Sequence, residues 1–152
     1  MKWITRERPK IDRIACPWLI LRFVDPGAEF LFVRPEDVAR IAAETGAVPF
    51  DVEGVELSHD GPRCSFDAIL AKYALEDRAL DDLATIVRGA DTARLDLAPE
   101  CAGLLAISLG LSRLFSDDQE QLRRGLVIYD ALHAWLSEGR AETHTWNPQR
   151  QR

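Results

Sequence analysis

The sequence predicts an α+β protein, predominantly helical, in which a small sheet from the first third packs on a bundle of about five helices. Up to residue 62, short apolar runs alternate with turns rich in proline and glycine; from residue 65 onward, apolar residues recur at helical spacing. No internal repeat or low-complexity linker breaks up the second part. At 152 residues the chain is long enough for one core. It is expected to form a single domain over residues 1–138, followed by a polar, mobile tail over 139–152.

Composition narrows the function classes. A net charge of −6 excludes a globally basic surface, so autonomous DNA binding is not expected, although Arg6, Arg8, Lys10 and Arg13 crowd the first thirteen residues. The N-terminus has charge but no apolar core of a secretory signal, and no window approaches a membrane span, so a cytoplasmic location without membrane contact is expected. Three widely spaced cysteines make no disulfide framework and are read as reduced thiols.

The elements follow in order. Trp3 and Ile4 lie in a β-like run that stops before Pro9. The stretch Lys10-Ile-Asp-Arg-Ile-Ala-Cys-Pro-Trp18 allows two readings. In one, Pro17 opens a helix that runs to about Val24, with Cys16 at its N-cap and Lys10, Asp12 and Arg13 leading in. In the other, a kinked helix buries Ile11, Ile14, Ala15, Trp18 and Leu19, leaving Asp12 and Arg13 as a solvated ion pair. After the Asp25-Pro-Gly27 turn, Glu29–Val33 reads as a buried strand. Pro35 opens a helix over Val38, Ile41 and Ala42 that Gly46 ends. Val48–Val52 reads as an edge strand because of Pro49, and Val55–Ser58 as a half-buried strand.

Ser65 is placed to cap a helix with Phe66, Ile69, Leu70 and Tyr73 on one face. Asp77 caps the next, which carries Leu80, Leu83, Ala84 and Val87 and is expected to stop at Gly89. Pro99 opens a long apolar helix from Glu100 to about Leu114, expected to be central. Ser116-Asp-Asp-Gln119 resembles a capping box for the last helix, with Leu122, Leu126, Tyr129, His133 and Leu136 on one face. Trp3, Trp18 and Trp135 read as core and His133 as a satisfied core histidine, whereas Trp146 reads as a contact for a partner.

No glycine-rich phosphate loop, HExxH, paired CxxC or nucleophile elbow is present. The candidates are groups that could converge in space. His59 sits in a Gly/Pro-bounded loop close to Glu56, and carboxylate with imidazole suits zinc, iron or manganese. Arg88 and Asp91 are read just past a helix end; Arg88 there complements the helix dipole, and Asp91 is an N-cap or a ligand. Cys101 is read as a buried, inert thiol.

Several of these pieces carry a resemblance. Arg8-Pro-Lys-Ile-Asp-Arg-Ile-Ala-Cys-Pro-Trp-Leu19 resembles the opening signature of the ChrB-type chromate resistance proteins, a family also called chromate resistance exported proteins. Similar too are Pro49-Phe-Asp51, His59 with Gly61, Cys64, Phe66-Asp67, Ile86-Val-Arg-Gly-Ala-Asp91, Ala98-Pro-Glu100, Gly103-Leu-Leu105 and Tyr129-Asp-Ala131. The pieces fall in order over residues 3–136. The resemblance implies bacterial chromate resistance, beside an efflux pump. It also implies that longer members act as chromate-responsive regulators. This chain begins at the signature and is expected to hold the C-terminal-type domain.

Two functional expectations result. One is a cytoplasmic domain that senses or handles chromate, a tetrahedral and oxidising dianion. Arg13, Lys10 and Arg88 would hold the oxyanion, and Cys16 or Cys64 would serve as a redox thiol. The other is a small enzyme in which His59, Glu56, Asp12 and Asp91 hold a divalent metal (Fe, Mn or Zn) with a position open for water. A shared metal would require Asp12, His59 and Asp91 to lie within a few Å of one another. A homodimer or a regulatory partner domain is the expected company.

Overall fold

A computed structural model describes residues 1–145 and 149; the Trp146 expectation lies outside the described residues. The architecture is α+β and mostly helical, as expected, and the described residues form six α-helices and a three-stranded parallel sheet of order β2-β1-β3. Strand β1 (Lys2–Arg6) is central, flanked by β2 (Glu29–Val33) and the two-residue β3 (Val48–Pro49). Parallel neighbours need crossovers. Helix α1 (Asp12–Leu19) with a π-helical turn at Ile20–Val24 supplies the first, and α2 (Val38–Thr45) supplies the second.

The central strand is buried on both faces, as in parallel sheets generally: Trp3, Ile4 and Thr5 are all inaccessible. Trp3, Phe30 and Phe50 face the main core with α1 and the bundle, whereas Ile4 packs with Val38 and Ala47 under α2. The expectation of a buried second strand holds only for Phe30, because β2 lies at the sheet edge. There the Gln119 amide donates to the Phe30 carbonyl at 2.7 Å, satisfying part of the open ladder.

Several boundaries differ from those read in the sequence. Helix α1 begins at Asp12, not Pro17, so Cys16 is an interior residue and not an N-cap. Pro17 is tolerated inside the helix at the loss of one backbone donor. The second reading of this stretch therefore has the helix right but Asp12 wrong, because that carboxylate is fully buried. Val55–Ser58 is not a strand; residues 51–58 form turns and bends.

Helix α3 (Ser65–Lys72) is capped one residue earlier than expected, by Cys64, with the Asp67 carboxylate accepting from the Cys64 N–H at 3.0 Å. Asp77 caps α4 (Arg78–Asp91), accepting from Ala79 and Leu80. That helix does not stop at Gly89. A Cβ on Gly89 would collide with the Cys101 sulfur and sit 2.7 Å from the Arg94 carbonyl, so this glycine serves close packing, not termination.

Helix α5 (Cys101–Leu114) is peripheral, not central: Cys101, Leu104 and Ser108 are buried while Ile107, Leu109 and Leu114 face outward. Asp117, not Ser116, caps α6 (Asp118–Ala134), accepting from the Glu120 N–H at 2.8 Å. Trp3 and Trp18 are core, but Trp135 is 37% exposed. His133 packs half-buried against the Trp18 and Phe23 rings, and its Nε2 has no hydrogen-bond partner among the described residues, so it is not a satisfied histidine.

Candidate functional site

Beyond the C-terminal ends of the parallel strands, where open α/β sheets tend to place their sites, four segments meet. They are the start of α1, the loop after β3, the N-terminus of α3 and the last residue of α4. The loop contributes both Asp51 and His59 and each other segment one polar group, and the backbone is bent locally at two of these points. Ile11, which precedes Asp12, has φ 45°, a left-handed conformation that is costly for a β-branched residue. The Tyr129 hydroxyl pins it by donating to its carbonyl at 3.0 Å. Asp51 also has a positive φ, of 50°.

Asp12 is inaccessible to solvent and lies across the N-terminus of α3. Its Oδ2 accepts from the Ser65 N–H at 2.8 Å, and its Oδ1 accepts from the Phe66 N–H at 3.1 Å and from the Cys16 thiol at 3.1 Å. These donors and the helix dipole favour the carboxylate. Burial outweighs them, and together with the charges of Asp91 and Asp51 raises the Asp12 pKa well above the usual range. Asp91 is pushed the same way by burial and by Asp51, against the opposing influence of His59. As the final residue of α4, it also places a carboxylate at the negative end of a helix.

His59 closes the cluster. Its Nε2 lies 3.0 Å from Asp91 Oδ2, 3.2 Å from Asp51 Oδ1 and 3.6 Å from Asp12 Oδ2. One ligand atom from each of Asp12, His59 and Asp91 falls within 4.8 Å of the others. The His59 side chain is 40% exposed, so one side of the cluster opens to solvent. The charges do not balance. Asp51 is met by Arg6 at 3.1 Å and Arg13 at 3.4 Å, but among the described residues no arginine or lysine pairs with Asp12 or Asp91.

The remaining candidates lie elsewhere or are already engaged. Glu56 is not in the cluster: it is on the surface, paired with Lys72 at 2.8 Å. Arg13 is held by Asp51 and by the carbonyls of Arg6 and Glu7 at 2.9 and 2.8 Å. Arg88 lies inside α4, not beyond it, and binds both oxygens of Asp67 at 3.0 and 2.8 Å. Lys10 is exposed and forms no ion pair among the described residues. Of the three, Arg13 and Arg88 are therefore already engaged by carboxylates.

The thiols differ from the expected redox centres as well. Cys16 and Cys64 are both buried. Burial and the Asp12 charge push each pKa up, the reverse of the depression an N-cap position would bring. Cys101 is buried against Gly89, in keeping with an inert thiol.

Asp51 is the residue the sequence did not single out for a site role. The clue was available in Pro49-Phe-Asp51, a polar residue directly after a strand. The Asp51 Oδ1 accepts from the Ser65 hydroxyl at 2.8 Å while its Oδ2 takes the two guanidiniums, so it links β1, α1 and α3 beneath His59.

Among the described residues no helix is long and apolar enough to cross a membrane. No solved structure matches the chain. A curated relative, Protein ChrB from Cupriavidus metallidurans, is 34% identical over 140 residues, which cover 91% of this chain and 42% of that protein. The chain thus spans well under half the length of that relative. The family described as ChrB, C-terminal domain matches residues 3–136, nearly the whole chain. With its sequence signature, its fold and its polar cluster all inside that span, the chain belongs to the ChrB C-terminal domain family.

Proposed function

We propose that this domain handles chromate through a divalent metal centre held by Asp12, His59 and Asp91, with Asp51 as a neighbouring carboxylate. The observation that carries this reading is the convergence of His59 Nε2 on three carboxylate oxygens at 3.0–3.6 Å. Ligand atoms that share one ion on bonds of about 2.0–2.2 Å lie roughly 2.8–3.6 Å apart at tetrahedral to octahedral angles. The donor set, oxygen-rich with one imidazole, suits manganese, iron or zinc.

The metal is also what makes an oxyanion acceptable at this place. Three carboxylates with only two arginines, both spent on Asp51, repel a dianion. A divalent ion inverts that field and offers its solvent-facing positions to an oxyanion. The direct alternatives are weaker, because Arg88 is neutralised by Asp67 and the Cys16 and Cys64 thiols are buried. With water in the open position the same centre would be a small metal-dependent enzyme, and coupling between metal and chromate separates the two readings.

The test is calorimetry on protein purified without a chelating tag and stripped with EDTA. Zn(II) and Mn(II) are titrated first, then chromate and sulfate into stripped and loaded protein; Fe(II) is avoided because chromate oxidises it. One metal per chain is expected, with chromate heat only in the loaded form. His59→Ala and Asp91→Asn should each weaken metal binding by about tenfold or more. Chromate that binds the stripped protein as well as the loaded one sinks the proposal, as does failure to take up either metal.

A further inference from the structure

Four glycines lie inside the long helices, and they divide into two kinds. Gly89 in α4 and Gly125 in α6 are required by the fold: a Cβ on the first would strike the Cys101 sulfur, and one on the second would lie 2.6 Å from the Ile14 side chain. Among the described residues, Gly103 and Gly110 in α5 face nothing, since a Cβ on either would meet none of their atoms within 4 Å. Each costs about 0.5–1 kcal/mol of helix stability relative to alanine. The packing of the described residues gives no return for it.

These two glycines belong to a single outward face. Gly103, Ala106, Ile107, Gly110 and Leu114 stand at i, i+3, i+4, i+7 and i+11, the pattern of a helix stripe. Ile107 is 47% exposed and Leu114 75% exposed, while the opposite face, Cys101, Leu104 and Ser108, is the buried one. Between Glu100 and Arg113 the helix carries no charge. Neither of those two residues forms an ion pair among the described residues.

We infer that this face of α5 is a self-association surface, on which two copies of the chain pair antiparallel about a twofold axis. The occupant is identified by self-complementarity. An axis between residues 106 and 107 sets Glu100 opposite Arg113, Gly103 opposite Gly110 and Ala106 opposite Ile107. The unpaired acid at one end meets the unpaired base at the other, twice. The facing glycines let the backbones approach so that Ile107 and Leu114 are covered, and antiparallel α5 dipoles attract. The pairing leaves the Asp12–His59–Asp91 cluster on other elements and does not depend on its chemistry.

Sedimentation equilibrium on the full chain tests this. A dimer is expected, and Ile107→Glu should raise its dissociation constant by about thirtyfold or more, with unchanged far-ultraviolet circular dichroism. Glu100→Arg should weaken the dimer, and combining it with Arg113→Glu should restore it. The charge exchange keeps the test decisive if Ile107→Glu disturbs folding. A chain that stays monomeric at its highest soluble concentration overturns the proposal, including one whose α5 face is covered by residues 146–152. A dimer indifferent to both Ile107→Glu and Glu100→Arg overturns it equally.

Discussion

Asp12 and Asp67 attend the same helix N-terminus and have opposite electrostatic surroundings. Asp67 accepts the Cys64 N–H and both forks of the Arg88 guanidinium. Burial alone would raise its pKa, but Arg88 and the Cys64 N–H outweigh burial and hold it below the ordinary range. Asp12 accepts two N–H groups of the same helix and a thiol, yet has no guanidinium and shares its surroundings with two further carboxylates. One carboxylate is closed and neutralised; the other is held in place and left wanting a cation. A structural ion pair and a candidate site thus differ in charge balance, not in residue type or burial.

The largest expected effect breaks the Asp12 side. Asp12→Ala strands the buried Ser65 and Phe66 N–H groups and should lower unfolding stability by about 2–5 kcal/mol in urea titrations. Asp12→Asn, which keeps one acceptor oxygen, should lose less stability and still lose the metal. Equal metal uptake by Asp12→Asn and wild type would remove Asp12 from the centre.

Breaking the other side should cost less and leave the site alone. Arg88→Ala leaves Asp67 without its partner and should destabilise by about 1–3 kcal/mol at neutral pH, with metal uptake unchanged. The sign of its pH dependence follows from the lowered Asp67 pKa. The stabilisation is complete above the ordinary carboxylate value of 3.8 and fades as pH falls through the lower folded value. The gap between wild type and Arg88→Ala should therefore shrink in acid. A gap that widens there would contradict the assignment.

The smallest effect is expected at Glu56. Its partner Lys72 is 42% exposed and Glu56 itself 70%, so Glu56→Ala should change stability by less than about 0.5 kcal/mol. Metal stoichiometry should remain that of wild type. A loss of metal in this variant would bring Glu56 back to the centre and undo the distinction between loop surface and site.

Much of the helical structure was legible because its signals are local. Asp77 before an apolar period marked α4, Gly46 with φ 72° ended α2, and Pro99 preceded α5. The failures have long-range causes. Gly89 looked like a helix stop, but the α4–α5 contact at Cys101 requires a glycine there. Pro17 looked like a helix start, but the core packing of Ile14, Ala15, Trp18 and Leu19 carries α1 through it. Glu56 and His59 were paired by proximity in sequence, and the irregular loop sends one to Lys72 and the other to the carboxylates.

The sequence by itself determined the α+β class, the Asp77 cap and the Gly46 stop, the family signature, and the membership of Asp12, His59 and Asp91 among the candidates. Those depend on backbone preferences and on residue types within a few positions. Only the tertiary structure decided which of those groups meet, that Asp51 joins them, and that Arg13, Arg88 and Glu56 already have partners. Contacts between residues 12, 51, 59, 65 and 91 are set by how α1, α3 and α4 pack beyond the sheet, and no local propensity encodes that distance. The excess negative charge around His59 is a property of that packing, and the proposed metal chemistry rests on it.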